Sequence, residues 1–179
     1  MYDQHATSQH TVIQHGHHAT IRPWHDPQLD ERGIDPRDRY CERFWLGVIG
    51  PTALWVMRRF ADEFDRSPEG FTIDLAHTAA TMGMSYARGS NSPFGKAVHR
   101  CVMFGIALPA EGGFTVRRRL PTVARRHLER LPADVRDSHE EWARRAVRSD
   151  RREIERHLVA AGVPADAAAR AGEFVALTS

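Results

Sequence analysis

Lysine is almost missing from this chain of 179 residues. Of its 25 basic residues only Lys96 is a lysine; the others are all arginine. Codon usage in a GC-rich bacterial genome accounts for that bias, and the abundance of Ala and Asp agrees with it. Cysteine is scarce as well. Cys41 and Cys101 are too few for a disulfide framework or a four-ligand zinc site. No apolar run is long enough to span a bilayer, so no membrane partner is expected. The opening MYDQHATSQH lacks the apolar stretch of a secretory signal, and a cytoplasmic protein is expected.

Charge is the next feature, and its total misleads. The formal net charge is only +2, yet residues 117–152 carry 12 basic and 6 acidic side chains. Residues 1–40 carry 4 basic and 6 acidic ones. A local excess of this kind points to a polyanion partner or to a solvated helix surface.

Residues 1–40 read as a disordered, His-rich tail, polar and interrupted by Pro23, Pro27 and Pro36. The tail holds His5, His10, His15, His17, His18 and His25. HGHH offers imidazoles, but a loose tail lacks the fixed geometry of a metal centre, so no metal site is expected. Trp24, next to Pro23, is expected to dock onto the folded part.

Order is predicted from residue 41. Pro51 opens a helix over 51–64, with Leu54, Trp55, Met57, Phe60, Ala61 and Phe64 at helical spacing. FTI (71–73) reads as a short strand. Asp74 caps a helix over 74–83, which ends at Gly83. After the loop MSYARGSN, Ser92 and Pro93 start a helix over 92–105. Its Phe94, Val98, Cys101 and Val102 share one face, and Lys96, His99, Arg100 and Met103 share the other. Segments 106–108 and 114–118 read as a hairpin around PAEGG. Pro121 opens a further helix, PTVARRHLERL. Residues 133–161 form a long charged helix whose apolar stripe breaks near 148–152, and a last helix follows from Pro164.

That order of elements resembles the winged helix-turn-helix superfamily over roughly residues 44–120. The resemblance implies a mainly α (α+β) protein: a winged helix-turn-helix domain over 41–132 with a small β-hairpin wing, and a helical C-terminal extension over 133–179. It makes 92–105 the recognition helix and 106–119 the wing. The loop MSYARGSN is longer than the tight turn of many such units.

The residues themselves suit double-stranded DNA. Lys96, His99 and Arg100 on one helix face can enter a major groove, where guanidinium and ammonium donors read guanine edges. Arg88, Ser90 and Asn91, with the helix N-terminus, can hold phosphate. Arg117, Arg118 and Arg119 at the wing's end can lie on the backbone, followed by Arg125 and Arg126. The expected function is DNA binding, in transcription control or another DNA transaction. The alternative is a winged-helix protein-interaction module docking on a larger bacterial assembly. A DNA binder should gather Lys96, Arg100, Arg117 and Arg119 on one positive face; a scaffold should expose Met103 and Phe104 there.

No catalytic constellation is read. Cys101 and His99 lie on opposite helix faces. HEEW (139–142) lacks the second histidine of HExxH, since Ala143 stands in its place. No phosphate-binding glycine loop is found, so neither an enzyme nor a cofactor is expected. Residues 133–179, with Trp142, Ile154, Leu158 and Phe174, could form a homodimer.

Overall fold

Strand β1 (His18–Pro23) lies inside a four-stranded sheet of order β2-β1-β4-β3, with β2 at Phe71–Asp74, β3 at Ala107–Ala110 and β4 at Gly113–Val116. It runs antiparallel to β2, pairing His18 with Asp74 and Ile21 with Phe71. It runs parallel to β4, pairing Thr20 with Gly113 and Pro23 with Val116. β3 and β4 form the antiparallel hairpin. The structure is a computed structural model that describes residues 17–178, with side chains to Phe174.

This arrangement corrects the expected tail. From His18 onward the N-terminal segment belongs to the fold, with Ala19 and Ile21 buried on alternate positions of β1. Short helix α1 (Pro27–Arg32) follows, capped by Asp26, whose carboxylate accepts from the Leu29 amide at 3.2 Å. Arg37 then ties the segment down. It donates to Asp35 at 2.7 Å, to Asp62 at 2.9 Å and to Asp65. Of the tail's histidines, His5, His10 and His15 lie outside the described residues. Among the described residues, no group of three or more His, Cys, Asp or Glu side chains could hold a metal ion.

A π-helical turn at Cys41–Trp45 and helix α2 (Leu46–Ile49) lead to α3 (Pro51–Arg66). α3 starts at Pro51 as its sequence predicts and buries Leu54, Val56, Met57, Phe60 and Phe64. Asp74 caps α4 (Leu75–Thr81), accepting from the His77 amide at 2.7 Å. Ser92 caps α5 (Pro93–Met103), accepting from the Gly95 amide at 3.0 Å. α5 buries Phe94, Ala97, Val98 and Cys101.

Two glycines answer close approach. A Cβ at Gly113 would come within 1.9 Å of the Thr20 carbonyl oxygen, so only glycine lets β4 pass β1 at this point. A Cβ at Gly95 would meet the Gly89 carbonyl at 2.5 Å, so glycine seats α5 against the 3₁₀ turn Gly89–Asn91.

The helix expected from Pro121 is only partly formed: residues 121–124 have no regular structure. Trp45 Nε1 donates to the Pro121 carbonyl at 2.9 Å, and the Val123 amide donates to the Tyr40 hydroxyl at 2.8 Å. Those bonds engage the Pro121 carbonyl and the Val123 amide outside any helix, and only α6 (Arg125–Leu128) is helical. The first unit ends at His127 and the second begins at Leu128, several residues before the expected boundary at 132.

The second unit pairs α7 (Ala133–Ala160) with α8 (Ala165–Thr178). α7 runs unbroken through the region where its stripe fails, supported by the i,i+4 pairs Arg145–Glu141 and Arg151–Glu155. Ala168 is fully buried, and Arg151 reaches Glu173 on α8 at 3.0 Å. Among the described residues no helix is long and apolar enough to cross a membrane.

Candidate nucleic-acid interface

The capping of α5 fixes which side chains face solvent. With Ser92 at its start and Phe94, Val98 and Cys101 turned inward, helical spacing leaves Lys96, His99, Arg100 and Met103 exposed. The expected face exists as a geometric fact. Ahead of it the loop presents Arg88, Ser90 and Asn91, all exposed. The Ser92 hydroxyl donates to the Gly89 carbonyl at 2.6 Å, which locks this loop against the helix start.

Arg100 has a second engagement. Its Nη2 lies 3.5 Å from the Val48 carbonyl oxygen at the end of α2. That distance is at the far edge of a hydrogen bond and costs little to give up.

The arginines that follow β4 are placed differently from their expectation. They do not stand out as a free row beside α5. Arg117 stacks its guanidinium over the Trp24 ring, 3.7 Å from the centroid, pairs with Asp26, and donates Nε to the Gly105 carbonyl at 3.0 Å. Its side chain is only 16% exposed, which makes it part of the packing. Arg118 lies 3.6 Å from Asp30. Arg119 donates to the Gly33 carbonyl at 3.1 Å. All three are taken up by residues 24–33, so Trp24 docks as expected, and an arginine is what it docks on. The Arg117 hydrogen bond, with that of the Leu29 amide, holds the Asp26 carboxyl below its ordinary range.

Arg125 and Arg126 are exposed on α6, and Arg126 Nε lies 3.3 Å from His127 Nε2. Phe104 is half-buried with its ring 5.1 Å from that of His127, whereas Met103 is 68% exposed. Cys101 sits in the core near the Ala53 carbonyl, and burial pushes its thiol up to about 12. A buried thiol of that kind packs as a small apolar group. His99 points from the opposite face of α5.

One electrostatic feature of this region escapes a search for basic motifs. No Asp or Glu occurs between Asp74 and Glu111. The whole of α4, the loop, α5 and β3 is therefore free of acidic side chains, while Arg88, Lys96 and Arg100 supply positive charge. Counting acids as well as bases along the chain brings this window out.

A further concavity of about 670 Å³ opens between α3 and the end of α4, lined by Pro51, Thr52, Trp55, Arg58, Met82 and Met84 among others. Trp55 is 59% exposed there, and the Arg58 guanidinium lies 4.9 Å from its ring centroid.

No family model, curated protein or solved structure matches the chain.

Proposed function

We propose that the chain binds double-stranded DNA through the outer face of α5, in transcription control or another DNA transaction of the bacterial cytoplasm. One observation carries this: Lys96, His99 and Arg100 are exposed together on a helix whose surrounding sequence, from Leu75 to Ala110, contains no acidic residue. Next to a phosphate backbone carboxylates repel, so a stretch without them favours contact there. Arg88, Ser90 and Asn91 at the start of α5 supply backbone contacts, and Arg125 and Arg126 add charge beyond the wing. The second unit supplies a homodimer contact, for which Phe174, Val159 and Val147, 70%, 49% and 42% exposed, are the exposed apolar groups, while the expected Trp142, Ile154 and Leu158 are half-buried. The test is titration of labelled duplex at several salt concentrations. Wild-type protein should bind with a linear log–log salt dependence, and the Lys96→Ala/Arg100→Ala variant should bind weakly with a shallower slope. Absence of binding at low salt overturns the proposal.

A second reading has its own observation. Met103 and Leu108 are exposed beside the same helix, at 68% and 42%, and Trp55 is exposed over the α3 concavity. Exposed Met and Trp groups of this kind serve a protein-docking module, which binds a partner protein and leaves DNA alone.

A further inference from the structure

We infer that Arg117, Arg118 and Arg119 form a second phosphate-binding surface that the chain's own acidic helix α1 masks, with Asp26 and Asp30 in the places that DNA phosphates would take. The inference depends on duplex binding through α5, and it assigns to the wing a conditional role in that binding.

The masking is residue for residue. Three consecutive arginines meet three consecutive acceptors along the segment that covers them: Arg117 at Asp26, Arg118 at Asp30 at 3.6 Å, and Arg119 at the Gly33 carbonyl at 3.1 Å. The covering segment is acidic, with Asp26, Asp30 and Glu31 against Arg32. What holds it on the arginines is mainly polar, because α1 buries no residue. Its two ends are fastened independently. The Trp24 amide donates to the Val116 carbonyl at 2.8 Å, and Ile34 and Leu120 exchange backbone hydrogen bonds at 2.8 Å each. Between these ends Asp26 and Asp30 can lift from Arg117 and Arg118 while β1 stays in the sheet and the bridge at Ile34 stays closed; Gly33, packed on Arg119 beside that bridge, stays in place.

Guanidinium forks suit carboxylate and phosphate alike. Arg118 and Asp30 are 35% and 24% exposed; Asp26 is 28% exposed, but its partner Arg117 is only 16% exposed and held on Trp24, so the Arg118–Asp30 pair gives way first. Partly exposed pairs of this kind hold weakly and are screened by salt. A duplex seated on α5 presents a dense row of phosphates, and these compete for the same forks. The mask restrains the wing until a polyanion replaces it, so wild-type protein displays fewer phosphate contacts than its arginines could make.

The test compares full-length wild type with Asp26→Asn/Asp30→Asn on labelled duplex over a salt series. Unmasking should steepen the log–log salt slope by about two units and raise affinity at the lowest salt about tenfold or more. Adding Arg118→Ala to that variant should take back about one unit. Asp134→Asn/Glu153→Gln, on α7, changes net charge equally and serves as control. Equal steepening in the control overturns the mask, because the effect is then general charge. Unchanged slope in Asp26→Asn/Asp30→Asn, with Lys96→Ala/Arg100→Ala still losing binding, overturns the mask alone. If neither wild type nor the unmasked variant binds, the DNA proposal falls and the mask with it. Since Asp26 also caps α1, Asp30→Asn by itself is the second variant if the double one does not fold. It should steepen the slope by about one unit, and no change overturns the mask.

Discussion

Arg117 sits over Trp24, its guanidinium carbon 3.7 Å from the ring centroid, while Asp26 accepts from the same group. One arginine at the end of the hairpin thereby fixes the chain that leaves β1. Truncating it removes a desolvated cation–π contact and the packing of its stem. Arg117→Ala should lower unfolding stability by about 1–2 kcal/mol, measured by urea denaturation. Arg117→Lys should recover only part of the loss, because an ammonium neither stacks flat nor forks. Full recovery by lysine would show that charge alone matters there.

Acid should loosen the same region. The hydrogen bond from Arg117 lowers the Asp26 carboxyl, and hydrogen bonds from Arg37, chiefly its side chain, lower Asp35. Each group is easier to ionise folded than unfolded. Its contribution is fully present above the ordinary carboxyl value of 3.8 and is lost as pH falls through the lowered folded value. Stability should therefore drop on acidification below that value, and Asp35→Asn should flatten the drop. Urea midpoints from about pH 5 downward check this. An equal slope in Asp35→Asn and wild type would remove Asp35 from the account.

Gly113 offers a sharper test of the sheet. Gly113→Ala places a methyl carbon 1.9 Å from the Thr20 carbonyl, on backbone that cannot turn aside. β1 must separate from β4, with a loss of at least about 2 kcal/mol. Gly112→Ala should cost less, since a Cβ there meets nothing within 4 Å and the strain comes only from its φ of +69°. Comparing the thermal melts of the two variants checks the order. Equal losses would mean that β1 does not pass Gly113 this closely.

What the sequence shows of this fold follows from where its signals are local. Pro51, Asp74 and the Ser92–Pro93 pair are start signals, and α3, α4 and α5 begin beside them as predicted. The hairpin is legible in the same way, from its turn Glu111–Gly112 between β-prone runs. β1 is not, because only Ala19 and Ile21 mark it, and its partners lie far away in sequence at Phe71–Asp74 and Gly113–Val116. Asp26 before Pro27 was a capping signal for α1, lost among the histidines. The arginine row is the main divergence. Arg117 and Asp26 are 91 positions apart, and Arg119 and Gly33 are 86 apart. No count of local charge can reveal that pairing, so arginines that read as a free surface are engaged within the fold. The exposed face of α5, by contrast, needed only helical spacing.

That face separates the two functional readings by mutation. Lys96 stands in the first half of α5 and is exposed, a position suited to a phosphate. Lys96→Ala should weaken duplex binding evenly across sequences and reduce the salt slope by about one unit. Arg100 reaches a base edge only by leaving the Val48 carbonyl, a contact already 3.5 Å long. If it reads guanine, Arg100→Ala should cost about 1–3 kcal/mol on the preferred sequence and little on others. Met103→Gln, one turn from His99 on the same face, keeps length and removes the apolar character. It should leave the salt slope unchanged, because it adds and removes no charge. Fluorescence anisotropy with preferred and scrambled duplexes measures all three. If Lys96→Ala and Arg100→Ala leave duplex binding untouched, α5 is not the contact. A Met103→Gln variant that alone loses a protein partner then makes this face a docking surface.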